Sequence, residues 1–131
     1  MTPDHQGIVR LRSPYNVKES LDRFQTLLAS KGITVFARID QRAEALKVGL
    51  DLAPTELLIF GNPKAGTPLM AAFPQVALDL PLKLLAWEES GIGTWLMYND
   101  PSYLRERYEL PADLVAKVDF GGLVRQMAAA Q

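Results

Sequence analysis

The chain has 131 residues, 48% hydrophobic and 22% charged, which fits one globular domain with a single sizeable core and excludes a disordered chain. Fourteen basic residues stand against 15 acidic ones, so the net charge of −1 gives no bulk attraction to nucleic acid or to an anionic membrane surface. Cysteine is absent, which removes disulfides, thiolate metal ligands, iron–sulfur clusters and a cysteine nucleophile together.

The start, Met1 to Gly7, lacks a basic segment followed by an apolar one, so no signal peptide is expected. The longest apolar stretches are broken by Pro74, Asp79, Pro81 and Lys83, short of the roughly 20 residues that a membrane span needs. A cytoplasmic protein with neither a membrane nor a nucleic-acid partner is the expectation.

Gly7 to Arg12 alternates apolar and basic residues, as a strand with one wet face should. Asn16 and Glu19 have capping-box spacing, and Val17, Leu21, Phe24 and Leu28 then form one apolar helical stripe. Lys31-Gly32 ends that helix. Ile33, Val35, Ala37 and Ile39 alternate with Thr34, Phe36, Arg38 and Asp40 as a second strand. The intervening helix favours parallel pairing of these first two strands.

Gln41 to Leu50 is a short predicted helix with Ala43, Leu46 and Leu50 on one face, weakened by Gly49. Thr55 to Phe60 is a third strand, whose run Leu57-Leu58-Ile59-Phe60 predicts a central position covered on both faces. A loop from Gly61 to Thr67 follows. Thr67 is placed as an N-cap and Pro68 at the first helical position, and Pro74 should kink or restart that helix.

Pro81 to Glu88 is a fourth strand, with Leu82, Leu84 and Ala86 on one face and Lys83, Leu85 and Trp87 on the other. A hairpin loop over Glu89 to Gly93 returns the chain antiparallel through Thr94 to Tyr98. Asp100-Pro101 opens a helix to about Tyr108, and Pro111 opens a last one over 111–130, with Leu114, Val115, Val118 and Leu123 on its apolar side. Gly121-Gly122 can break that helix or admit another backbone. The whole is one domain over 1–131. It is an α+β (two-layer α/β) fold, ordered β-α-β-α-β-α-β-β-α-α, with helices packed on a mixed sheet of about five strands.

His5 is the only histidine and lies in an end expected to fray, which argues against a histidine base, a Ser-His-Asp triad and a histidine-rich zinc site. Gly61-Asn62-Pro63-Lys64-Ala65-Gly66-Thr67 partly matches the phosphate pattern G-x-x-x-x-G-K-[ST], but Thr67 stands where the lysine belongs. What remains is a helix N-terminus that favours an anion, with Lys64 adding charge. Asp79, among apolar neighbours, needs a partner such as Lys83 or Lys64. The candidate ligand-binding set is therefore Gly61, Asn62, Lys64, Gly66, Thr67 and Asp79. No catalytic residue, cofactor or metal site is assigned.

Trp87, Trp95, Met97 and Tyr98 cluster on the hairpin, either under a helix or against a second subunit, and a homodimer contact is the favoured reading. Three functions stay open. A dimeric module binding a small anionic or polar ligand ranks first, and an interaction domain acting through its dimer surface second. An enzyme using Asp79, Lys64, Asp40 and Glu44 in one pocket ranks third.

Phe36 to Asp40, Ala45 to Leu50, Pro54 to Met70, Ala77 to Lys83 and Tyr98 to Pro101 carry a resemblance to the Domain of Unknown Function 302 family over about Gly7 to Tyr108. The resemblance implies compact, dimeric single α/β domains of bacteria and archaea with no established activity. Members of that family often carry a histidine after the Ile-Asp of the second strand, where this chain has Gln41. A role tied to that histidine is then lost or altered.

Overall fold

Asn16 opens the first helix by accepting a 2.7 Å hydrogen bond from the backbone N–H of Glu19. The computed structural model describes residues 3, 4 and 6–129. The elements are β1 (Ile8–Ser13), α1 (Val17–Ser30), β2 (Thr34–Asp40), α2 (Gln41–Lys47), β3 (Thr55–Gly61) and α3 (Pro63–Ala72). After a 3-10 turn at Pro74–Leu78 come β4 (Leu82–Glu89), β5 (Gly93–Asn99), α4 (Pro101–Tyr108), α5 (Ala112–Ala116) and α6 (Gly121–Ala129).

The fold is α+β, and its sheet has the expected five strands. It is not mixed: the order is β1-β5-β4-β3-β2 and every pairing is antiparallel. The expected parallel pair does not form, because α1 carries the chain from one edge of the sheet to the other. That route leaves room for β5, β4 and β3 between β1 and β2. The central strand is β4, and β3 lies one place nearer the edge.

One face holds the main core. Leu58, Phe60, Leu84, Ala86 and Leu96 are buried against Leu21, Phe24 and Leu28 of α1 and Val124 and Met127 of α6. Fully burying side chains of this size contributes about 1.5–3 kcal/mol each. The opposite face, carrying Leu57, Ile59, Leu85, Trp87, Trp95 and Met97, is only half-buried. The apolar run of β3 is thus covered completely on one side only. Tyr98 belongs to the buried face, so it separates from Trp87, Trp95 and Met97.

Strand parity changes within β2. Val35 pairs with Phe60 but Ala37 pairs with Ile59, leaving Phe36 as an extra, bulged residue. Val35 therefore packs on the core while Ala37 and Ile39 take the opposite face, and Arg38 comes round to the helix side. There Arg38 donates to Asp22 at 2.6 Å and to Glu56 at 2.8 Å. This pair of ion contacts fastens α1 to the β2–β3 edge.

Helix α2 stops at Lys47 rather than Leu50. Gly49 at φ 78 donates to the Leu46 carbonyl and Leu50 donates to that of Ala45, a Schellman termination. Gly49 thus ends the helix instead of weakening its interior. None of α2 is buried. The last predicted helix divides into α5 and α6, with residues 117–120 between them. A second apolar cluster, including Leu69, Val76, Leu104, Leu110, Val115 and Val118, joins α3, α4 and α5 at the end of the sheet where β3 finishes.

Candidate functional site

The end of β3 delivers the chain into a helix at once. Asn62 is the N-cap, accepting from the Lys64 N–H at 3.0 Å, and Pro63 occupies the first turn. The expected loop up to Thr67 is thus already helical, and Pro68 lies inside α3 instead of starting it. Asn62 explains the earlier start, since its side chain and carbonyl together take the first-turn donors. The Asn62 carbonyl accepts from Ala65 at 2.9 Å and Gly66 at 2.8 Å. Those N–H groups are spent within the helix and do not form an open anion cradle.

Beside this turn lies a cleft of about 210 Å³. Phe60 and Gly61 of β3 and Ala65, Gly66, Thr67 and Met70 of α3 form one side. Leu80 and Pro81 of the segment leading into β4 and Leu82 at its start form another side, and Ile33 and Phe36 close the β2 side. Lys117, Asp119 and Phe120, from the interruption between α5 and α6, complete the wall. Most of this lining is apolar, and its polar members are Asn62, Thr67, Lys117 and Asp119.

Local geometry explains several of these placements. A Cβ at Gly61 would stand 3.2 Å from the Phe36 ring, so glycine lets the bulged phenylalanine reach the cleft. Gly66 has open space: a Cβ there meets only the end of Met70, at 3.8 Å. Asp119 accepts from the Gly121 N–H at 2.9 Å and so helps to start α6. Gly121 is required because a Cβ would fall 2.7 Å from the Tyr98 hydroxyl. Burial holds the Tyr98 phenol above its ordinary pKa, so it stays protonated beside α6.

Of the six residues singled out from sequence, Gly61, Asn62, Gly66 and Thr67 line the cleft, whereas Lys64 and Asp79 do not. Lys64 is exposed in the first turn of α3. Asp79 accepts from the Tyr108 hydroxyl at 2.5 Å and pairs with Arg107 at 3.1 Å, neither of which is the partner expected. That hydrogen bond raises the Tyr108 pKa. Asp40 and Glu44 lie at the opposite end of the sheet, on the β2–α2 turn, so the four groups required for carboxylate–lysine catalysis do not converge. His5 falls outside the described residues.

Ile33, Phe36, Lys117 and Asp119 were not singled out by sequence. Phe36 reaches the cleft through a bulge that regular alternation conceals. Lys117 and Asp119 were absorbed into one long predicted helix, although Asp119 just ahead of Gly121-Gly122 is itself a helix-start signal.

The family described as domain of unknown function DUF302 matches residues 9–127. This chain belongs to the DUF302 family. Among curated proteins it is similar to the fluoride-specific ion channel FluC 1 of Brucella suis biovar 1 (strain 1330), 44% identical over 104 residues, which cover 79% of this chain and 41% of that relative. FluC 2 of Brucella melitensis biotype 1 (strain ATCC 23456 / CCUG 17765 / NCTC 10094 / 16M) is also 44% identical over 104 residues, 79% of this chain and 38% of the relative. The DUF302 chain thus spans about two-fifths of these relatives' length. A crystal structure of an uncharacterised conserved DUF302 protein from Bacillus stearothermophilus superposes with a TM-score of 0.79 at 20% identity, covering 93% of this chain and 95% of that one, and shows the same fold.

Proposed function

We propose that this DUF302 domain is a binding module for a small, mostly apolar molecule held in the cleft between α3 and the α5–α6 interruption. The carrying observation is the apolar lining of a space of about 210 Å³, with a few polar groups at its margin. Such a combination characterises small-molecule sites, and its size, below the roughly 300–1,000 Å³ of drug-sized sites, suits a compact ligand. The polar end of that ligand faces Lys117, Asn62 and Thr67.

A free anion, the ligand suggested by the glycine-rich stretch, is supported less well. The first-turn N–H groups are already bonded to Asn62, and Lys64 is not part of the cleft lining. The channel activity in the relatives' names concerns proteins of which this domain matches about two-fifths, and it is not extended to this chain. Among the described residues no helix is long and apolar enough to cross a membrane. A cytoplasmic location belongs to the same proposal.

The test is thermal melting with hexanol, hexanoate and indole, with phosphate as comparison. A ligand at 100 times its dissociation constant adds about 2.7 kcal/mol of stability. Stabilisation by the apolar probes supports this reading. Stabilisation by phosphate alone overturns it in favour of an anion site.

A further inference from the structure

We infer that the ligand of this cleft is an apolar monocarboxylate, with its hydrocarbon part among the cleft rings and its carboxylate on Lys117. This rests on the cleft reading above and adds the chemistry of the ligand's head and the residue that selects it.

The polar groups of the lining decide the head. Asn62 accepts from the Lys64 N–H through Oδ1, so the part of its amide still open to a ligand is the Nδ2 amino group, a donor. Lys117 carries three donors and no acceptor. Among the described residues it makes neither an ion pair nor a side-chain hydrogen bond. The Thr67 hydroxyl can donate as well. Asp119 is the acid of the lining, and it is engaged. Its Oδ1 accepts from the Gly121 N–H at 2.9 Å. A Cβ at Gly121 would lie 3.3 Å from that oxygen and 3.2 Å from an Arg125 nitrogen, so the guanidinium stands close by. The groups left open are mainly donors, and the head that answers them is an acceptor.

Charge narrows the head further. Lys64 is outside the lining, Lys83 donates to the Pro81 carbonyl at 3.3 Å, and Arg125 has Asp119 beside it. Lys117 is thus the basic residue of the lining, and one ammonium matches one carboxylate. A phosphate dianion would bring a second charge into mostly apolar surroundings, where an unpaired charge is costly.

The body of the ligand follows from the rings. Phe36 lines the cleft yet is 53% exposed, whereas Phe60 and Phe120 in the same lining are buried. A hydrocarbon chain in the cleft takes the Phe36 ring out of water, which nothing in the free chain does. A space of about 210 Å³ suits a short chain or a single ring.

Isothermal titration of the full chain with hexanoate and hexanol at pH 7 tests this, since the two share a hydrocarbon tail and differ in the head. Hexanoate is expected to bind about fivefold tighter than hexanol. Lys117→Met keeps an unbranched side chain at an exposed position. It should bring hexanoate to or below hexanol, with hexanol unchanged within about twofold and the circular dichroism melt unaltered. Salt at about 1 M should narrow the wild-type gap. Lys64→Met should leave it in place. Hexanol binding as tightly as hexanoate to the wild type overturns the carboxylate inference while the cleft reading stands. A preference for hexanoate that survives Lys117→Met, or that disappears in Lys64→Met, overturns the assignment to Lys117. Binding of neither probe overturns both the inference and the cleft reading.

Discussion

The ring of Phe60 meets that of Phe120 edge to face, with centroids 4.9 Å apart and planes at 86°. Phe24 approaches the same Phe60 ring at 5.4 Å and 75°, so one side chain from β3 is held by α1 and by the segment that precedes α6. Both Phe60 and Phe120 also line the cleft, which ties the candidate site directly to the core. Phe120→Ala should cost about 3–5 kcal/mol in denaturant unfolding, since it removes a buried ring and leaves a cavity. A cost below about 1 kcal/mol would show that the α5–α6 interruption is not anchored through this ring.

Gly121 and Tyr98 make a second close contact. Gly121→Ala places a methyl 2.7 Å from the Tyr98 hydroxyl, 3.2 Å from Arg125 and 3.3 Å from Asp119. Overpacking of this kind costs about 1–3 kcal/mol. Tyr98→Phe in the same chain removes the nearest obstacle and should restore part of that loss, measured as a double-mutant cycle in urea. Additive losses would mean that the hydroxyl is not the obstruction.

Gly66 is the opposite case. It is in the interior of α3 with room for a side chain, so Gly66→Ala should raise stability by about 0.5–1 kcal/mol through helix propensity. A lower melting temperature in that variant would indicate that the glycine serves backbone geometry rather than access to the cleft.

The edge fastening predicts a pH dependence. Hydrogen bonds from Lys18, then from Arg38, hold the Asp22 carboxyl below its ordinary pKa of 3.8. The unfolded chain therefore takes up this proton first as pH falls. The stabilisation is fully present above about pH 4 and is lost as the pH drops through the lower, folded value. Asp22→Asn should flatten this part of the acid stability profile. Arg38→Ala, which leaves Glu56 without its ion pair and Asp22 with Lys18 alone, should cost about 1–2 kcal/mol at neutral pH, since the Asp22 end of the contact is open to solvent.

Local signals in the sequence anticipated local structure. Asn16, Gly32 and Asp100 mark real helix ends, and the Leu82, Leu84, Ala86 alternation gives the buried face of β4. Topology was less legible, because no residue in α1 records that the chain passes the places of three later strands before returning to the sheet. The site was half legible. The apolar run stopping at Gly61 located the cleft, but Asn62 is a better cap than Thr67 and moved the helix start forward by five residues. Phe36 stayed hidden because a bulge shifts parity without any change of composition.

The central claim is most directly tested by methyl NMR of the chain titrated with hexanol, hexanoate and indole, read at Ile33, Leu80 and Leu123, which line the cleft. Saturable shifts at these methyls with at least one probe, abolished by Gly66→Trp, are the predicted result. No saturable shift with any probe, or identical shifts in Gly66→Trp, would contradict the cleft as a ligand site.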